Sequence, residues 1–181
     1  MPVTSHYLEA KQVDTIKKQI ALPENALILY DFLDKNTLTE LHTTAAGLNY
    51  TEHNIPNMRH LLSAVAVQKT QQAWRADLEE FCATIGRRIH SDQFCKFSAG
   101  NYTLIEKVKT HTITLFIDLT PQWNESWGGS VHHAGTDGST IVPLRYGAAA
   151  AISSTTLAPF VKYVNHHAGT NSRIFLVVTL T

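Results

Sequence analysis

ITLFIDLTPQWNESWGGSV, residues 113–131, reads as a strand, a turn and the start of a second strand. Ile113 to Leu119 is dense in β-branched and aromatic residues, which suit a pleated, half-buried surface. Gly128-Gly129 fits a tight strand-to-strand turn, because glycine adopts positive φ without a steric penalty. Trp123 and Trp127 supply two large apolar rings to cover the flank of a sheet, and Asp118 reads as a structural residue of the same block.

The same character runs outward to the C-terminus. CKFSAGNYTLIEKV (95–108), HTITLFIDL (111–119), GGSVHH (128–133), STIVPL (139–144), GAAAAISS (147–154), PFVKYV (159–164) and RIFLVVTLT (173–181) are strand-like runs separated by turn residues. Toward the N-terminus the period changes to that of helices. Leu8, Val13, Ile16 and Ile20 recur at helical spacing until Pro23. ALILYDFL (26–33) is a short strand candidate. Asn36 or Thr37 caps a helix carrying Leu38, Leu41, Ala45 and Leu48, with Glu40 placed for a capping box. Residues 50–62, with His53, Pro56 and His60, read as a polar loop. Trp74, Leu78, Phe81, Cys82, Ile85 and Ile89 form one helical stripe that packs beneath a sheet. Helices first and short strands after predict an α+β domain over 1–181: helical support in 1–92 and a double-sheet jelly roll in 93–181.

Composition narrows the partners. Lys plus Arg and Asp plus Glu balance at 15 each, so no strong field draws nucleic acid or anionic lipid. Apolar residues make up 44%, the globular norm, while no run approaches a membrane span. Two cysteines, Cys82 and Cys95, are too few for a disulfide framework and are expected as free buried thiols. No apolar run follows a basic start, so a soluble cytoplasmic protein is expected. His132-His133-Ala134-Gly135-Thr136 recurs at His166 to Thr170, a match too short to mark a repeated unit.

AGNYTLIEKV (99–108), the Trp123-Trp127-Gly128-Gly129 turn and Arg173 at the head of the last strand together resemble the core of the iron(II)/2-oxoglutarate oxygenases, specifically the prolyl-hydroxylase-like branch. The resemblance implies a double-stranded β-helix, cupin-like in outline. In that branch Gly-x-Tyr opens a strand, and a His-x-Asp pair follows whose side chains grip iron. The matching positions after Gly100 and Tyr102 are Glu106 and Val108, which strand parity places on one face with Leu104. The family's distal histidine corresponds to Phe160. Arg173 corresponds to the arginine that holds the far carboxylate of 2-oxoglutarate, in keeping with the forked bonds a guanidinium makes to a carboxylate.

Three substituted ligand positions imply a degenerate oxygenase-like protein, a pseudoenzyme that keeps the pocket without the usual iron triad. It is expected to take a small molecule or peptide in the barrel mouth, lined by Arg173, Tyr102, Val108 and Phe160, with no cofactor. Glu106 is its candidate acid or base, with a pKa raised by apolar surroundings. The alternatives are an active oxygenase using Fe(II) and 2-oxoglutarate at a relocated centre drawn from Glu106, His111, His132 and His166, and a non-catalytic partner of an active homologue. Exposed strand edges make a homodimer plausible.

Overall fold

The computed structural model describes residues 3–56, 59–64, 72–108, 111–135 and 138–181. Its elements are α1 (Ala10–Ala21), β1 (Asn25–Leu29), α2 (Lys35–Ala46), β2 (Thr51–Ile55), β3 (Arg59–Ala64), α3 (Gln72–Thr84), β4 (Ile89–Phe97), β5 (Tyr102–Thr103), β6 (Thr112–Asp118), β7 (Val131–Gly135), β8 (Gly138–Val142), β9 (Ala149–Ser154), β10 (Phe160–Val161) and β11 (Arg173–Leu180). Single 3₁₀ turns lie at Ser5–Leu8, Glu125–Trp127 and His166–Ala168.

Two antiparallel sheets make the roll. The larger runs β1-β9-β6-β11-β4-β3-β2, with β5 also paired to β3, and the smaller is β10-β7-β8. The protein is therefore an α+β jelly roll, a double-stranded β-helix with helices on its outer face. β11 shows how sequence sorts the two cores. Ile174, Leu176, Val178 and Leu180 point to the helix side, joining Val13, Ile16 and Ile20 of α1 with Leu78 and Phe81 of α3. Phe175, on the opposite face, joins Phe97, Phe116, Val131 and Val161 between the sheets. Alternate residues of a strand face opposite ways, so one eight-residue run serves both layers. No helix among the described residues is long and apolar enough to cross a membrane.

Several expectations are corrected. Residues 51–64, part of which was expected to be loop, form the β2–β3 hairpin (Thr51↔Ser63 through Ile55↔Arg59). Every residue of β2 is exposed, so the strand carries no apolar alternation to betray it. The N-terminal ninety residues thus add β1, β2 and β3 to the large sheet as well as the helices. The cap of α2 is Asp34, whose carboxylate accepts from the Asn36 and Thr37 amides and the Thr37 hydroxyl. The run 95–108 is broken: β5 ends at Thr103, and Leu104 and Ile105 are exposed. The two His-His-Ala-Gly segments, by contrast, are as unrelated as so short a match implied, the first lying in β7 and the second beginning in a 3₁₀ turn.

The Trp-x-x-x-Trp-Gly-Gly turn has its expected form. Trp123 and Trp127 meet edge to face, with centroids 5.2 Å apart, and the Trp123 indole donates to Gly128 O at 2.9 Å. Gly128 has φ +81°, and a Cβ there would sit 2.1 Å from Tyr163 O, so only glycine fits.

Candidate ligand pocket at the mouth of the roll

A cavity of about 260 Å³ opens at one end of the roll. β4 contributes Gln93, Cys95 and Phe97, β6 contributes Thr114 and Phe116, and β11 contributes Val177 and Thr179. β3 supplies Arg59 and Leu61, while Thr103, Leu104 and Glu106 face Pro159 and Val161 across the opening. Two backbone bonds tie these last segments together: Ala158 N donates to Glu106 O at 2.7 Å, and Val108 N to Thr156 O at 3.0 Å. The Thr103 hydroxyl accepts from Val161 N at 2.7 Å.

Among the described residues, Arg59 and Glu106 are the two charged ones lining the cavity. Arg59 Nη2 contacts both Glu106 oxygens, at 2.7 Å and 2.9 Å. The Arg59 Nε is buried and has no hydrogen-bond partner among the described residues. Glu106, expected as a desolvated carboxylate in apolar surroundings, is instead ion-paired, and its side chain keeps 31% of its surface. Cys95 on the wall is held far from ionisation: burial pushes its thiol up to about 12, against a smaller downward pull from Arg59. Both cysteines are free and buried, as their number in the sequence implied.

Of the candidate site residues read from sequence (Glu106, Tyr102, Val108, Phe160, Arg173, His111, His132 and His166), Glu106 alone lines this cavity. The break after Thr103 removes the parity that put Val108 inward. Tyr102 pairs with His60 in register and lies beside Tyr163, their ring centroids 6.4 Å apart. Phe160 pairs with His132 and stacks on its ring (5.1 Å, 26°), so its neighbour Val161 is the residue that faces the cavity.

Arg173 shares the inward face of β11 with Val177 and Thr179 but lies about 13 Å along the strand from Val177. Phe97, Phe116 and Phe175, in edge-to-face contact, fill the interval. Arg173 is 5% exposed, and all three of its side-chain nitrogens donate within the protein. Its Nε and Nη2 donate to Asp118 Oδ2 (3.2 and 2.6 Å), Nη1 to Gly129 O (3.1 Å) and Nη2 to Leu144 O (2.9 Å). The Trp-Gly-Gly turn thus braces this arginine, with the Trp123 ring 6.0 Å from it. A second cavity, about 230 Å³, borders Arg173, Asp118, Trp123 and Tyr146 at this opposite end.

The histidines are dispersed. His111 bonds Ser153 Oγ at 2.8 Å, His132 bonds Ser130 Oγ at 3.0 Å, and His166 lies against His167. Burial, helped by the Lys162 charge, lowers the pKa of His132 and favours its neutral form. Among the described residues no three His, Cys, Asp or Glu side chains are grouped to hold a metal, so the set Glu106, His111, His132 and His166 is not brought together.

Sequence reasoning missed Arg59. The signal was present but weak: Leu61 and Leu62 follow it, and Pro56-Asn57 is a turn dipeptide that could have marked a hairpin.

No protein-family model matches the sequence, and no curated protein matches it. Solved structures do. A prolyl-4-hydroxylase from Pseudomonas putida superposes with a TM-score of 0.71 at 12% identity, over 93% of this chain and 97% of that one. The fold is that of the 2-oxoglutarate/Fe(II) oxygenases. A prolyl hydroxylase from Trichoplax adhaerens, solved with a hypoxia-inducible-factor peptide, gives 0.72 at 13% identity over 98% and 93%. The epimerase SnoN of nogalamycin biosynthesis gives 0.70 at 11% identity over 96% and 84%. At such identities the likeness is one of oxygenase fold.

The cofactors of that fold do not fit the residues present. Non-haem iron of this kind takes two imidazoles and a carboxylate on one face. Among the described residues the mouth offers one carboxylate, already paired with Arg59. A keto acid reaching from the mouth to Arg173 would meet three phenylalanine rings and an arginine already bonded to Asp118.

Proposed function

We propose that this chain is a binding protein built on the oxygenase fold, which takes a small molecule or peptide segment into the roll mouth without a two-histidine, one-carboxylate iron centre. The observation that carries this reading is the pairing of Glu106 with Arg59 on the wall of a cavity whose other described lining residues are uncharged and mostly apolar. Concave sites of this make-up, mostly apolar with few polar groups, are where proteins hold ligands. Among the described residues Glu106 is the one acidic side chain on the wall, which makes it the carboxylate placed to exchange a proton with a bound ligand. The two free thiols support a reducing compartment, the cytoplasm.

Two measurements test the reading. Anaerobic reconstitution with Fe(II) and 2-oxoglutarate is expected to leave the protein without stoichiometric iron and to release no succinate; stoichiometric metal with succinate would overturn it. Methyl NMR with a fragment library is expected to shift Leu61, Val161 and Val177 together, and a library that moves none of them would count equally against it.

A second reading has its own support. Ile55, Leu104 and Ile105 are exposed large apolar residues around or next to the mouth, and Ile55 is the register partner of Arg59. Such a rim suits coverage by a second copy or an active homologue. A particle mass in solution that stays at one chain, with or without a co-expressed homologue, would dismiss it.

A further inference from the structure

We infer that the mouth cavity is a receptor for a carboxylic acid, that Arg59 is its anchor, and that Glu106 occupies the anchor in the ligand's place. The inference rests on the reading that the cavity binds a ligand and adds the ligand's chemical class. A guanidinium holds a carboxylate best through two nitrogens, in parallel bonds. Glu106 reaches only one, with both its oxygens on Nη2. The Nε, buried beside it, is left without a partner among the described residues. A buried donor with no acceptor is costly, so the pair as it stands is not the arrangement that best satisfies Arg59.

The two partners also differ in how they are held. Arg59 belongs to β3 and is paired on both sides, to Ile55 of β2 and Thr103 of β5. Glu106 follows the end of β5, in a segment held by the single bridge Lys107↔Leu157 and its two backbone bonds, Ala158 N to Glu106 O and Val108 N to Thr156 O. A cation set between two strands faces a carboxylate at the end of a partly exposed side chain, which can swing aside on its own torsions when a better-fitting acid arrives. The acid's body would then lie against Leu61, Phe116, Val161 and Val177, where burial of apolar surface favours it. At about 260 Å³ the cavity lies just under the range for drug-sized ligands, so the acid is small, or is the carboxyl end of a peptide.

The test uses the full chain and methyl NMR titration at neutral pH, with hexanoate against hexanamide, and Ala-Ala-Leu as free acid against its amide. The acid of at least one pair is expected to bind about tenfold to a hundredfold tighter than its amide, which is what a charge-assisted hydrogen bond is worth. Which pair responds separates a free acid from a peptide terminus. Arg59→Gln is expected to erase the preference, and Arg59→Lys, which keeps charge but loses the fork, to reduce it. Glu106→Gln is expected to tighten acid binding severalfold, because the occupant has become a weaker competitor. An amide that binds as well as its acid, or acid affinity unchanged in Glu106→Gln, overturns this inference and leaves the cavity reading standing. If no compound moves the wall methyls, both fall.

Discussion

Arg173 and Asp118 make the sharpest test of how this roll is held. Asp118 is 1% exposed and Arg173 5%, so neither charge has water to fall back on. Replacing Asp118 with asparagine keeps its volume but strands the cation. Breaking a buried pair from one side costs about 3–5 kcal/mol, because the remaining charge is uncompensated. Arg173→Met removes the cation, leaves the Asp118 carboxylate with the Thr120 amide (2.9 Å), and deprives Gly129 O and Leu144 O of a donor. It belongs at the upper end of that range. In the double variant no stranded charge remains, so its cost should fall short of the sum of the singles by about 2 kcal/mol. Urea unfolding followed by tryptophan fluorescence measures all three, and Asp118→Asn should lower Tm by roughly 6–20 °C. Either single costing under about 1 kcal/mol, as an exposed pair would, or strict additivity in the double, refutes the account.

Phe175 is fully buried between Phe97 and Phe116, so Phe175→Ala should cost about 3–5 kcal/mol in the same urea experiment. Asp34→Ala should cost about 1 kcal/mol at neutral pH through loss of the α2 cap. Burial works upward on the Asp34 carboxyl, but bonds from Thr37 and Asn36 outweigh it and its pKa is lowered; Glu24, bonded by Thr155 and Thr156, is lowered in the same way. A depressed folded pKa gives stability present above the unfolded value near 4 and lost as pH falls through the folded one, so wild type and Asp34→Ala should converge in acid. Burial pushes the thiols of Cys82 and Cys95 up to about 12, so a thiol reagent at pH 8 should label neither until the protein is unfolded, as titration with and without urea would show.

The elements that read correctly from sequence are those whose burial is periodic. α1 shows itself through Val13, Ile16 and Ile20, and α3 through Leu78, Phe81 and Cys82, because each turns one stripe to the core. β6, β9 and β11 are apolar on both faces, and composition alone marks such strands. β2 was illegible for the opposite reason, since an edge strand exposed at every residue carries no pattern. Leu104 and Ile105 misled: apolar residues continuing a strand-like run read as strand, yet they lie exposed beyond its end. The error moved the site, because alternate-face counting from Tyr102 is meaningful only while the chain stays extended. Glu106 survived it through its position beside Arg59, a contact 47 residues distant that no local pattern announces.

The rings of Phe97, Phe116 and Phe175 carry a consequence for upkeep of the molecule. A roll whose middle is solid hydrocarbon has no need of a bound ion to hold its walls apart or together. Its melting should be indifferent to chelators, and sequence drift at the mouth can proceed without endangering the frame that carries it.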